Sequence, residues 1–216
     1  MILCLESSAD PTVIGLADEN SENTVIERIF QSRDQFPLEV ETLLRENNVV
    51  PKDVTAIAIG IGPGSFTGLR VSLAFAKGFA RGVNIPIWPV PSLRIVAANL
   101  YTHWPLIAVI SPARRNHVHF AVFDGDSIAQ RGESKVLSHE QMLTELTDDM
   151  ALIGPGVAKL QGDVLKSAGR YLPLDESMHR PQIAHLARLA LTEWWNKQAP
   201  DISTLVPVYG MEFGSE

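Results

Sequence analysis

The sequence predicts an α/β chain of two lobes with related topology, one over residues 1–103 and a smaller one over residues 104–216. Three observations lead there. Short strand-like runs open the chain and give way to alternating helix and strand. A shorter version of the same order begins at Leu106. Between a buried strand and a long helix lies the glycine-rich segment Gly60-Ile-Gly-Pro-Gly-Ser-Phe-Thr-Gly68.

Ile2–Leu5 is a short apolar run. A turn at Ala9-Asp10-Pro11 separates it from Val13–Ala17, and Glu19-Asn20-Ser21 separates that from Thr24–Phe30. Runs broken by Asp, Pro, Asn and Ser read as a meander. From Gln35 to Asn47 the period changes: Phe36, Val40, Leu43 and Leu44 fall at helical spacing, with Pro37 near the start. Thr55–Ile61 is apolar and β-branched, as in a strand covered on both faces. Helices are expected over Ser65–Gly82 and Ser92–Tyr101, with a strand at Ile85–Val90. The second half offers strands at Leu106–Ile110, Val118–Phe123 and Ser127–Val136, the last two around an Asp124-Gly125-Asp126 turn. Ser138 and Gln141 have capping-box spacing for a helix over Ser138–Leu146. A short strand, Leu152–Ile153, precedes helices at Val157–Ala168 and Ile183–Lys197. The tail holds at most one short strand, Thr204–Tyr209.

The 216 residues are 45% hydrophobic and 20% charged, the balance of a water-soluble globule. The single cysteine, Cys4, sits in an apolar run, which fits a reducing compartment. Met1 leads directly into Ile2-Leu-Cys-Leu5 with no basic n-region, and no apolar stretch approaches the roughly 20 residues of a membrane helix. The expectation is a cytoplasmic protein with no membrane partner. A net charge of −7 argues against a chain that grips nucleic acid alone.

Gly62 and Gly64 follow a strand and open a helix, where backbone N–H groups and the helix dipole favour an anion. A P-loop would end in Gly-Lys-Ser/Thr, and the lysine is absent. The competing reading is a tight strand-to-helix turn that needs positive φ. Glu6 and Ser7 end the first strand with a carboxylate and a hydroxyl. The matching junction of the second half, Ser111-Pro112-Ala113-Arg114, has no carboxylate. In the helix after the glycines, Gly68, Ser72, Ala76 and Ala80 recur every four residues as a flat stripe. Phe66, Leu69, Leu73 and Phe79 lie on its other sides. Such a helix is buried, in its own domain or against a partner. His117 and His119 are two apart on a strand and read as a polar strand face rather than a metal pair. No Gly-x-Ser-x-Gly elbow exists.

Gly62-Pro-Gly-Ser-Phe-Thr-Gly-Leu-Arg-Val71 resembles the TsaB (YeaZ) family. The opening Ile2–Ser8, the Pro86–Leu93 stretch, Ala113-Arg114, Ile153-Gly-Pro-Gly156 and Pro207-Val-Tyr209 follow in family order. The resemblance implies an actin-like ATPase (acetate kinase/Hsp70/actin, ribonuclease H-like) fold. It implies a scaffold without catalytic residues or cofactor in the formation of N6-threonylcarbamoyladenosine at position 37 of tRNA. The implied partners are a TsaD-type catalytic subunit, a TsaE-type ATPase and a second copy, with tRNA reached only through the complex. It places the partner surface on the first two helices, hence on Phe36, Val40, Leu43, Leu44, Gly68, Ser72, Ala76 and Ala80. An Ala76→Arg change would then break association and leave the monomer folded. The chain departs from the family at Glu6, Pro112–His119 and Gly210-Met211. The alternatives are a small ATP-dependent kinase or ATPase using Glu6 and the glycine loop, and a metallopeptidase.

Overall fold

The computed structural model describes residues 1–18, 21–31, 33–160, 175–195 and 197–210. They fall into two compact units. Met1–Ser92 and Gln182–Val208 form the first, and Leu93–Pro181 supplies the body of the second.

The first unit is built on a 5-stranded sheet in the order β3-β2-β1-β4-β5. β1 (Ile2–Glu6) lies at its centre, antiparallel to β2 (Thr12–Asp18) and parallel to β4 (Ala56–Gly60). β3 (Ser21–Phe30) and β5 (Ile87–Val90) are the edges. β1 and β4 are buried throughout, because helices cover both faces of their apolar runs. One cover is α1 (Phe36–Glu46) with α2 (Phe66–Val83); the other is a late helix, Ile183–Trp194. Gly15 permits the late helix to sit down, since a Cβ there would meet Ile183 Cγ2 at 2.7 Å and Ile26 O at 2.5 Å.

α1 buries Phe36, Val40, Leu43 and Leu44 as one stripe. The Phe36 ring stands edge-on to Phe30 and Phe75, with centroids 5.9 and 5.4 Å away. Arg28 of β3 ties the outer side of α1 down through Glu39 at 2.5 Å and Glu46 at 2.9 Å. α2 starts at Ser65, whose hydroxyl accepts from the Gly68 amide at 3.3 Å. It stops at Asn84, which takes the left-handed conformation and donates its N–H to Ala80 O.

The second unit repeats the plan with a 4-stranded sheet in the order β8-β7-β6-β9. β6 (Leu106–Pro112) runs antiparallel to β7 (His117–Asp124) and parallel to β9 (Met150–Ile153). β8 (Gln130–Ser138) is an exposed edge. Among the described residues its helices are α3 (Ser92–Ala97), continued by a 3₁₀ turn, and α4 (His139–Glu145). Ser138 and Gln141 make the expected capping box, at 3.2 and 3.0 Å. The late helix of the first unit is therefore α5.

Some expectations need correction. β7 and β8 pair antiparallel as expected, but β8 starts at Gln130, not Ser127, so the connection is longer than Asp124-Gly125-Asp126. Gly125 is engaged instead by Trp104 and Pro105: its N–H donates to Pro105 O at 2.9 Å, and a Cβ would run into Trp104 O. Thr204–Tyr209 is not a strand, although Val208 N donates to Ile61 O at 2.8 Å. Of the expected helix over Val157–Ala168, only a 3₁₀ turn at Val157–Lys159 lies within the described residues. Met211 also lies outside them.

Candidate functional site

The C-terminal end of β1 meets the glycine loop and the start of α2. Glu6 is the last residue of β1 and is only 2% exposed. Its Oε1 accepts from the Ser8 amide at 2.6 Å, and its Oε2 accepts from the Ser92 hydroxyl at 2.9 Å. Burial pushes the Glu6 carboxyl above its ordinary range, against the opposing pull of hydrogen bonds from Ser8, Ser92 and the Ser7 backbone. Ser92 links the carboxyl to the loop. Its hydroxyl accepts from Gly62 N at 3.0 Å, and its own N–H returns to Gly62 O at 2.8 Å. Sequence reasoning missed Ser92. Its one signal is position, after a buried strand and at a helix start, as Ser65 is for α2.

The glycines are required by close contact rather than by an anion. A Cβ on Gly60 would strike Glu6 Oε2, one on Gly64 would strike Ser8 O, and one on Gly68 would strike Ser7 O. Gly62 has φ +99° and faces Val208 O and Leu69 Cδ1. Two of the loop's donors are engaged within the chain: Ser65 N donates to Ser8 O at 2.7 Å and Gly62 N to the Ser92 hydroxyl at 3.0 Å. Ser7 Oγ donates to Gly68 O at 2.8 Å and lies 2.7 Å from Ser72 Oγ, stitching β1 to α2.

Strand register identifies the equivalent position in the second sheet. Leu5 pairs with Ile59, placing Glu6 beside Gly60; Val109 pairs with Ile153, placing Ile110 beside Gly154. A Cβ on Gly154 would meet the Ile110 backbone, and one on Gly156 would meet Ile110 Cγ1 at 3.1 Å. The counterpart of Glu6 is thus an isoleucine, and no second carboxylate stands at that junction.

The expected partner residues are inside the first unit. Phe36, Val40, Leu43, Leu44, Gly68, Ser72, Ala76 and Ala80 are all buried, with Ser72, Ala76 and Ala80 at 0% exposure. The small stripe is core: it lets α2 lie close on β1 and β4. An arginine at Ala76 would have no room and would unfold the unit, which corrects the expectation of a folded monomer. Other small residues of α2, Ala74, Gly78 and Gly82, lie on the exposed side at the same spacing, together with Arg70 and Phe66. Nothing stands within 4 Å of a Cβ built on Gly78 or Gly82. The Arg70 guanidinium lies 3.8 Å over the Phe66 ring.

Other candidates carry little. His119 is 4% exposed, and burial lowers its pKa to about 4, so it is a neutral core residue. His117 Nδ1 faces Arg115 O at 2.9 Å. Among the described residues no cluster of His, Cys, Asp or Glu is arranged to hold a metal ion, and no helix is long and apolar enough to cross a membrane. Cys4 is buried, and burial holds its thiol far above the ordinary range. Trp194 donates to Pro89 O at 3.1 Å and Trp195 packs edge-on against Trp88, which makes them packing residues.

Known proteins give this arrangement a context. The TsaD family model, described as tRNA N6-adenosine threonylcarbamoyltransferase, matches residues 31–192. The tRNA threonylcarbamoyladenosine biosynthesis protein TsaB of Bacillus subtilis is 29% identical over 178 residues, covering 79% of this chain and 75% of its own length. The TsaB of Haemophilus influenzae is 27% identical over 226 residues, covering 96% and 92%. The structure of YeaZ from Pseudomonas aeruginosa superposes with a TM-score of 0.77 at 24% identity, over 96% of this chain and 99% of that one. The architecture is the α/β actin-like ATPase fold that the family resemblance implies. From this match over most of its length, and from TsaB relatives similar to 79% and 96% of it, the chain belongs to the TsaB (YeaZ) family within the wider TsaD group.

Proposed function

We propose that this chain is a scaffold subunit, without catalysis of its own, in the formation of N6-threonylcarbamoyladenosine on tRNA. It pairs with a TsaD-type catalytic subunit, and the pair admits a TsaE-type ATPase; a second copy of the chain competes for the same surface. It works in the cytoplasm. The names of its TsaB relatives support the pathway.

The observation that carries the scaffold reading is the outer face of α2. Glycine in a helix interior costs about 0.5–1 kcal/mol relative to alanine. Gly78 and Gly82 are not required by this unit's own packing, since an added methyl would meet nothing. A bare helix face is useful to a second helix that must approach closely. Phe66 at its start is 43% exposed, and Leu38 on α1 is 54% exposed, so each helix also offers an exposed apolar side chain. The closed loop around Glu6 supports the same reading. Its carboxyl is engaged internally, and Ile110 stands at the equivalent position of the second sheet, which weighs against the kinase or ATPase alternative.

Size-exclusion chromatography of this chain mixed with the TsaD-type protein of the same organism tests the proposal. One earlier-eluting complex is expected. Two separate peaks, with and without ATP, would refute it.

A further inference from the structure

The turn between β6 and β7 presents the adjacent side chains Arg114 and Arg115, both exposed. Its backbone is fixed. Ala113 N donates to His117 O at 3.1 Å, His117 N to Arg114 O at 2.9 Å, and the His117 ring to Arg115 O at 2.9 Å. Asn116 takes φ +58°, a conformation asparagine tolerates well, and its carbonyl accepts from His139 N at 3.3 Å. Some other cations of this chain have carboxylate partners: Arg28 with Glu39 and Glu46, Arg131 with Asp124, Lys135 with Glu145; Lys52 and Arg81 are exposed singly. Among the described residues, neither Arg114 nor Arg115 has an ion-pair or hydrogen-bond partner for its guanidinium.

We propose that this turn is a direct contact for RNA phosphates, a part of the tRNA reached by this subunit itself. The inference rests on the reading that the chain works in a tRNA-modifying assembly. Guanidinium groups match phosphate in forked geometry. A fixed backbone leaves only side-chain freedom to lose on contact. With a net charge of −7, overall attraction does not favour RNA, so any contact this chain makes with phosphate depends on a local cluster of cations such as this pair. An acidic protein surface is the other anion such a turn would fit.

The test titrates a fluorescent unmodified tRNA transcript with the full chain, alone and with the TsaD-type protein added, at several salt concentrations from low upward. The variants are R114Q/R115Q and R114K/R115K; both sites are exposed, so neither should disturb folding. Each phosphate contact contributes about 0.7–0.9 to the slope of log K against log salt, so the glutamine pair should flatten the slope by roughly 1.4–1.8. The lysine pair should retain most of it. Equal slopes for wild type and R114Q/R115Q, or no binding by the wild-type chain in either format at low salt, overturn the proposal. So does a variant that keeps its tRNA slope but loses the protein complex, which would assign the turn to an acidic protein surface. Pairing without RNA is read separately by chromatography, so failure of the scaffold reading is distinguishable from failure of the phosphate contact.

Discussion

The Ser92 hydroxyl donates to Glu6 Oε2 at 2.9 Å while it accepts from Gly62 N at 3.0 Å. A side chain at the head of α3 thereby joins the end of β1 to the glycine loop. Leaving a buried polar group without its partner costs about 1–3 kcal/mol. Ser92→Ala should therefore lower stability by about 2 kcal/mol in urea unfolding, and it should raise the Glu6 carboxyl further by removing a donor. An unchanged midpoint would show that the link is unimportant.

Gly60 and Gly78 should respond to the same substitution with opposite signs. At Gly60 the methyl would strike Glu6 Oε2 and come within 2.9 Å of Ser92 Oγ, so Gly60→Ala should be strongly destabilising, by about 3 kcal/mol or more. At Gly78 the methyl meets nothing, and the helix gains about 0.5–1 kcal/mol. Thermal melts of the variants check both.

Glu6 and His119 impose pH dependences of opposite direction. The carboxyl of Glu6 is raised in the folded state, so the folded protein binds the extra proton. Its contribution is greatest below the ordinary glutamate range and is lost as pH rises through the raised value. The stability difference of Glu6→Gln minus wild type should accordingly grow with rising pH. His119 is lowered from 6.5 to about 4, so the unfolded chain binds the proton first and stability falls as pH drops from about 6.5 towards 4. Between pH 7 and 5 that amounts to about 2 kcal/mol. His119→Gln should lose correspondingly less over that interval than wild type, by urea titration at each pH.

Much of this fold is legible in the sequence because its strands are short, buried and punctuated. The Ser138–Gln141 capping box and the Phe36–Leu44 period translate directly into α4 and α1. The glycine loop reads correctly as a tight turn, but its cause does not: no periodicity shows that Gly60, Gly64 and Gly68 make room for Glu6, Ser8 and Ser7. The small-residue stripe on α2 is not legible from spacing alone. Gly68, Ser72, Ala76 and Ala80 are one small-residue row, while Ala74, Gly78 and Gly82 are another on the opposite side. Sequence spacing distinguishes the rows but does not say which one faces the sheet. Burial decides it: the first row faces the sheet, and the outward row is the one proposed to receive a partner.

That outward row is where the account is most exposed. Gly78→Arg places a bulky charge where the bare helix face is proposed to receive a second helix, with open space in the monomer to accommodate it. Sedimentation velocity of the wild-type chain and of Gly78→Arg, each mixed with the TsaD-type subunit, is the direct measurement. The account predicts a heterodimer for wild type and separate species for Gly78→Arg, with the variant folded by circular dichroism. A folded Gly78→Arg that still forms the heterodimer at wild-type affinity would contradict it.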